Sequence, residues 1–143
     1  MINLKKILLV EDNIMDVELT VEALSSQNLA NRLVILENGV QAVEYLKYQG
    51  EYAEREKENP AVILLDIKMP KMDGIEVLEV IKKDELLKNI PVVMLTSSRE
   101  EPDLVRCYKL GVNAYVVKPV NFKDFFEAVK TLGVFWAVLN EIP

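Results

Sequence analysis

Residues 61–70 read AVILLDIKMP, and the chain is best read outward from this stretch. Ala61 to Leu65 is an unbroken apolar run without period-2 alternation. That is the pattern of a strand covered on both faces, and such strands lie at the centre of parallel sheets. Asp66 ends the run, and a loop containing Pro70 and closed by Gly74 follows. Open α/β sheets place their ligand sites at the carboxyl ends of buried strands, which makes Asp66 a candidate functional carboxylate. An Asp in that position can also do no more than stop the strand or cap the next turn.

On either side, the same pattern returns. KKILLV, residues 5–10, is followed by Glu11 and Asp12; LVIL, residues 33–36, lies between Asn31 and the Asn38-Gly39 pair; PVVMLT ends at Thr96; and NAYVV, residues 113–117, ends at Lys118 and Pro119. Helical spacing fills the intervals. Asn13 is a candidate N-cap for a helix carrying Ile14, Val17, Val21 and Leu24 up to Gln27. Val40, Val43 and Leu46 mark a second helix ending near Gly50; Ile75, Leu78, Val80 or Ile81, and Leu86 mark a third. Arg99 to Leu110 reads as a fourth, stopped by Gly111, and Asn121 caps a long final one. The charged segment EYAEREKENP, residues 51–60, shows no apolar face and reads as a helix end running into a solvated surface loop. Strand then helix, five times over, requires parallel strands, right-handed crossovers and helices on both faces of one sheet. The expected fold is the flavodoxin-like doubly wound α/β class with strand order 2-1-3-4-5.

Composition narrows the function. The chain has 143 residues, half of them apolar, enough for one domain with a real core. It carries a net charge of −6 and no histidine, which argues against nucleic-acid binding and the usual zinc sites. No apolar run approaches the roughly 20 residues of a membrane span, and MINLKKILLVED turns acidic too soon for a signal peptide, so a cytoplasmic protein is expected. The single cysteine, Cys107, sits in a helical pattern and reads as structural.

The strand ends together present Glu11, Asp12, Asp66, Thr96 and Lys118. In the expected order the first and third strands are neighbours, so three carboxylates meet beside a hydroxyl and an ammonium. Crowded carboxylates are relieved by raised pKa values or by a bound cation, and an all-oxygen site of this kind suits Mg²⁺, with Mn²⁺ also fitting. Such a site can place a phosphoryl group on a carboxylate, with Asp66 attacking in line, Thr96 and Lys118 binding the phosphoryl oxygens and the cation offsetting their charge. Each residue also has an ordinary structural use, as a helix cap, a strand end or a surface ion pair; their coincidence at the strand ends favours the shared site.

LLVEDN, LLDIKMPKMDG, VVMLTS and YVVKP resemble the signature blocks of the receiver domain of two-component response regulators, and the resemblance covers essentially the whole chain. It implies that residues 1–143 are one receiver domain with no output domain, and that Asp66 is the phosphoacceptor. It further implies that Glu11, Asp12 and Asp66 hold Mg²⁺ together with the Lys68 backbone carbonyl, that Thr96 and Lys118 contact the phosphoryl group, and that the Lys118–Pro119 bond is cis. Thr96 and Tyr115 become the switch pair, and Lys68 and Ser98 flank the path of the dephosphorylating water. The implied partner is a sensor histidine kinase, and DVELTVEAL, NGVQAVEYL and KPVNFKDFFEAVKTLGVFW resemble the stand-alone regulators of cyanobacterial phytochromes. Val134, Phe135, Trp136, Val138 and Leu139 add apolar surface beyond the stripe Phe122, Phe125, Phe126, Val129 and Leu132, so a homodimer through the last helix is expected, with Phe135, Trp136 and Leu139 at its interface. The competing functions are a phosphorylation-independent pseudo-receiver, a phosphatase of the haloacid dehalogenase type, which needs an Asp where Lys68 stands, and a flavodoxin, whose phosphate Glu11 and Asp12 would repel.

Overall fold

The computed structural model describes residues 5–98, 101–112, 114–133 and 138. Five strands, β1 (Ile7–Val10), β2 (Leu33–Leu36), β3 (Val62–Asp66), β4 (Val92–Thr96) and β5 (Ala114–Val117), alternate with helices α1 (Ile14–Ser25), α2 (Gly39–Leu46), α3 (Gly74–Lys83), α4 (Asp103–Lys109) and α5 (Phe122–Thr131). All pairings are parallel and the order is β2-β1-β3-β4-β5, the flavodoxin-like receiver arrangement expected from the sequence. Val10 pairs with both Leu36 and Leu65, Asp66 with Leu95, and Thr96 with Val117, so the carboxyl ends of the strands finish level on one edge.

Burial explains why the strands are so apolar. Every residue of β1, β3 and β4 is buried, and successive side chains serve opposite layers. Leu8, Ile63, Leu65 and Met94 pack with Ala42, Leu46, Ile75, Leu78 and Leu104 under α2, α3 and α4. Ile7, Leu9, Val62, Leu64 and Leu95 pack with Leu24, Phe125 and Val129 under α1 and α5. Cys107 is buried in the first layer and its thiol is pushed up to about 11 by that burial, consistent with a structural role. Side-chain caps start the helices: Asn13, Asn38, Asp73 and Asn121 each accept a hydrogen bond from the backbone N–H three residues on.

Several boundaries differ from the sequence expectation. The first helix ends at Ser25 rather than Gln27, and Ile14, read as core, is 73% exposed; inward packing begins at Val17. Leu86 is 83% exposed, because α3 stops at Lys83 and the chain buries Leu87 and Ile90 instead. The fourth helix begins at Asp103, just after Pro102, whose fixed φ suits a helix start; Arg99 and Glu100 lie outside the described residues. Segment 51–60 is anchored rather than freely solvated. Arg55 Nε donates to the Tyr45 carbonyl at 2.7 Å, and its guanidinium stacks over the rings of Tyr45 and Tyr48 at 3.9 and 4.1 Å. Cation–π anchorage of this kind has no apolar periodicity to betray it.

The apolar residues past α5 divide. Val138 is fully buried in its own domain's core, so it is not free surface for a partner, and the Arg32 guanidinium donates to its carbonyl. Phe135, Trp136 and Leu139 lie outside the described residues. No helix among the described residues is long and apolar enough to cross a membrane.

Candidate functional site

The level strand ends bring Glu11 and Asp66 together. Glu11 follows β1 and its N–H donates to the Leu36 carbonyl at 3.0 Å, extending the ladder by one residue and turning its side chain into the protein. Glu11 is 1% and Asp66 4% exposed, whereas Asp12 faces solvent, and one carboxylate oxygen from each lies within 4.8 Å of the others. Below Asp66 the backbone is crowded. A Cβ on Gly74 would stand 2.1 Å from the Asp66 carbonyl oxygen, so only glycine lets the start of α3 dock there. An Asp73–Glu76 capping box holds that helix start in place.

Lys118 crosses the pocket. Its Nζ lies 3.2 Å from Glu11, 3.3 Å from Asp66 and 3.0 Å from Asp16. Its own N–H donates to the Thr96 carbonyl at 2.8 Å, which fixes where the side chain starts, and the bond to Pro119 is cis. Thr96 is buried, and its hydroxyl donates to the Ser98 carbonyl at 2.9 Å rather than to a carboxylate. Asp66, Lys68, Thr96, Glu101 and Lys118 line a cleft of about 130 Å³. The largely exposed Lys68 side chain reaches toward Glu101 on the same cleft, 3.8 Å away. Tyr115 is half-buried on β5, edge-on to Tyr108 with ring centres 6.4 Å apart.

The electrostatics follow from this crowding. Burial, then the hydrogen bond and charge of Asp66, push Glu11 up to about 8, although Lys118 pulls the other way. Burial also raises Asp66, against the hydrogen bond from Glu11 and the attraction of Lys118. Both carboxyls are thus held above their ordinary range, Glu11 to about 8. Burial alone would lower Lys118, but the hydrogen bond to Asp16 and the charges of Asp66 and Glu11 outweigh it and hold the ammonium above its ordinary range. Three carboxylates this close, two of them buried, are a hard all-oxygen donor set of the kind that suits Mg²⁺ or Mn²⁺.

The structure thus gathers Glu11, Asp66 and Lys118 in contact with an Asp12 oxygen within 4.8 Å of the other two carboxylates, sets Thr96 and Lys68 on the same cleft with the hydroxyl on Ser98 and the ammonium toward Glu101, and leaves Tyr115 apart from it. Asp16 was missed. It is third after the Asn13 cap, where an acidic residue is explained by the helix dipole alone, and only the docking of α1 shows that it reaches Lys118.

Comparison with known proteins places this geometry. The family described as "Response regulator receiver domain" matches residues 7–130. Response regulator Rcp1 of Synechocystis sp. is 43% identical over 97% of this chain and 93% of its own length, and its Mn²⁺-bound crystal structure matches with a TM-score of 0.73 at 44% identity, over 93% of this chain and 94% of that one. The bacteriophytochrome response regulator AtBRR matches at 58% identity and a TM-score of 0.89, over 98% of this chain and 100% of its own. The phosphorylated cyanobacterial phytochrome response regulator RcpA matches at 44% identity and a TM-score of 0.76, over 94% of each chain. On fold, acidic pocket and similarity alike, the chain belongs to the response regulator receiver domain family and resembles its phytochrome-associated members.

Proposed function

We propose that Asp66 accepts a phosphoryl group from a phosphohistidine on a sensor histidine kinase, and that the signal leaves as a changed protein-binding surface. The observation that carries this reading is the meeting of Glu11, Asp12 and Asp66 within 4.8 Å with Lys118 set among them. Glu11, Asp12, Asp66 and the Lys68 backbone carbonyl would hold Mg²⁺, whose charge offsets that of the phosphoryl oxygens. An Asp66 carboxylate oxygen attacks phosphorus in line, the phosphorus–nitrogen bond to the kinase imidazole breaks, and the electron pair leaves with the imidazole. Lys118 donates to a phosphoryl oxygen. Thr96 gives up its bond to Ser98 and turns its hydroxyl to another, and Tyr115 follows inward, repacking against Tyr108 and the β5 surface. Lys68, on the cleft, and Ser98, whose carbonyl accepts from Thr96, tune the later attack of water on the acyl phosphate.

The likeness to phytochrome response regulators favours a phytochrome-type kinase as donor. With no histidine in this chain, the donor histidine belongs to that partner. Phe135, Trp136 and Leu139 are proposed to join two copies, on the strength of their apolar character in the sequence.

Intact-mass analysis after incubation with acetyl phosphate tests the chemistry. One added phosphoryl group is expected in the wild type with Mg²⁺, and none in Asp66→Asn or with EDTA. If neither acetyl phosphate nor beryllofluoride with Mg²⁺ leaves any mark on the wild type, the phosphoacceptor reading falls and a phosphorylation-independent interaction module takes its place.

A further inference from the structure

An ammonium carries three donors, and Lys118 directs its Nζ to carboxylates from three parts of the fold: Glu11 after β1, Asp66 at the end of β3 and Asp16 in the first turn of α1. Glu11 and Asp66 are also two of the carboxylates assigned above to the cation. For them to take it, Lys118 must loosen its hold on both. Asp16 is the partner that remains. It makes the shortest of the three contacts at 3.0 Å, its side chain is 25% exposed, and its backbone N–H is held by the Asn13 side chain at 3.1 Å, so its place at the pocket rim is set by the helix cap. The other end of the lysine is fixed as well, through its N–H on the Thr96 carbonyl. Only the four-carbon stem can swing, between the two buried acids and Asp16.

We propose that Asp16 is a positioning residue for Lys118: it holds the ammonium at the rim while Glu11 and Asp66 turn to the cation, and so keeps the lysine within reach of a phosphoryl oxygen on Asp66. The proposal rests on the phosphoacceptor reading of this pocket. Without Asp16, Lys118 has only Glu11 and Asp66 as acidic partners here and competes with the cation for both. Loss of the Asp16 charge would also weaken cation binding by simple long-range attraction, screened by salt. The two effects separate in one respect: positioning acts through Lys118, and long-range attraction does not.

A double-mutant cycle on Mg²⁺ affinity, measured by calorimetry on the full chain, distinguishes them. Asp16→Ala is expected to weaken Mg²⁺ binding about tenfold with Lys118 present and less than about twofold in a Lys118→Met background, the difference being the coupling through the lysine. Asp16→Asn, which keeps an acceptor oxygen without the charge, is expected to fall between wild type and Asp16→Ala, and it carries the cycle if the alanine variant does not fold. Equal weakening in both backgrounds, or none in either, overturns the proposal and leaves the phosphoacceptor reading standing. Failure of the wild type itself to bind Mg²⁺ overturns both.

Discussion

Glu11 is where the charge of the pocket is decided. Burial and its neighbour Asp66 lift its pKa to about 8, so near neutral pH the folded protein holds a proton on it that the unfolded chain has released. Between the ordinary carboxylate value of about 4.3 and about 8, the folded state binds more protons than the unfolded one, and stability falls as pH rises through that window. In the proposed Mg²⁺ site the affinity should run the other way, because the proton must leave before Glu11 can act as an anionic ligand. Glu11→Gln keeps the shape and the neutrality but cannot titrate. Urea unfolding in EDTA at about pH 5 and about pH 9 should therefore show a loss of stability in the wild type that is markedly smaller in Glu11→Gln. Equal slopes in the two proteins would place that proton elsewhere. Glu11, Asp12, Asp66, Thr96 and Lys118 were all readable from sequence, because a buried strand shows as an apolar run and the polar residue that ends it lies at the sheet edge by geometry alone. Asp16 was not, since nothing in a helix's first turn says which neighbouring strand its side chain will meet.

The elements supply the next constraint, and it is sharpest where β3 passes into α3. The Gly74 N–H donates to the Ile67 carbonyl at 2.8 Å, and an added Cβ would stand 2.1 Å from the Asp66 carbonyl oxygen and 2.9 Å from the Ile67 Cα. Those neighbours are backbone, so no rotamer change can relieve the clash. Either α3 shifts or the end of β3 does, and Asp66 stands at that end. Gly74→Ala should cost about 1–3 kcal/mol, the usual scale of overpacking in a close-packed interior, and should also slow phosphorylation by acetyl phosphate in protein that remains folded. Thermal melts and the rate of mass gain check the two halves of the expectation, and a normal rate in a destabilised variant would mean that α3 alone had moved. The five strands and the order of elements were legible because burial on both faces leaves little choice of residue in β1, β3 and β4. Helix ends were less so. Leu86 continues the apolar spacing of α3 yet projects into solvent, and α4 starts late at Asp103, because spacing records where a helix face could go and not where a cap or a proline ends it.

At the scale of the whole molecule, the amino ends of the strands, across the sheet from the pocket, raise the question of which chain completes the core. Arg32, almost fully buried in the short turn before β2, donates from Nε to the Lys5 carbonyl at 2.8 Å and from Nη1 to the Val138 carbonyl. One guanidinium therefore ties together the residues leading into β1, the start of β2 and the chain beyond α5. Val138 packs with Ile7, Leu24 and Leu29 in the layer beneath α1 and α5. Truncating this side chain should cost about 1–3 kcal/mol. Removing the arginine leaves the carbonyls of Lys5 and Val138 without that donor, at about 1–3 kcal/mol for each that stays buried. Val138→Ala keeps the backbone carbonyl that Arg32 binds, so the two substitutions remove different interactions, and the double variant should cost about the sum of the two alone unless either one by itself already undocks Val138. The contact lies within a single chain, so mass action adds nothing to it, and the loss in Val138→Ala should be the same at roughly 1 μM as at roughly 100 μM protein. Denaturant melts at the two concentrations, with light scattering on the same samples, measure this directly. A loss that shrinks on dilution, as the wild type gives up its partner, would mean that Val138 completes the core of a second copy, joining it to the dimer-forming role proposed for Phe135, Trp136 and Leu139; a constant loss keeps Val138 in the core of its own chain.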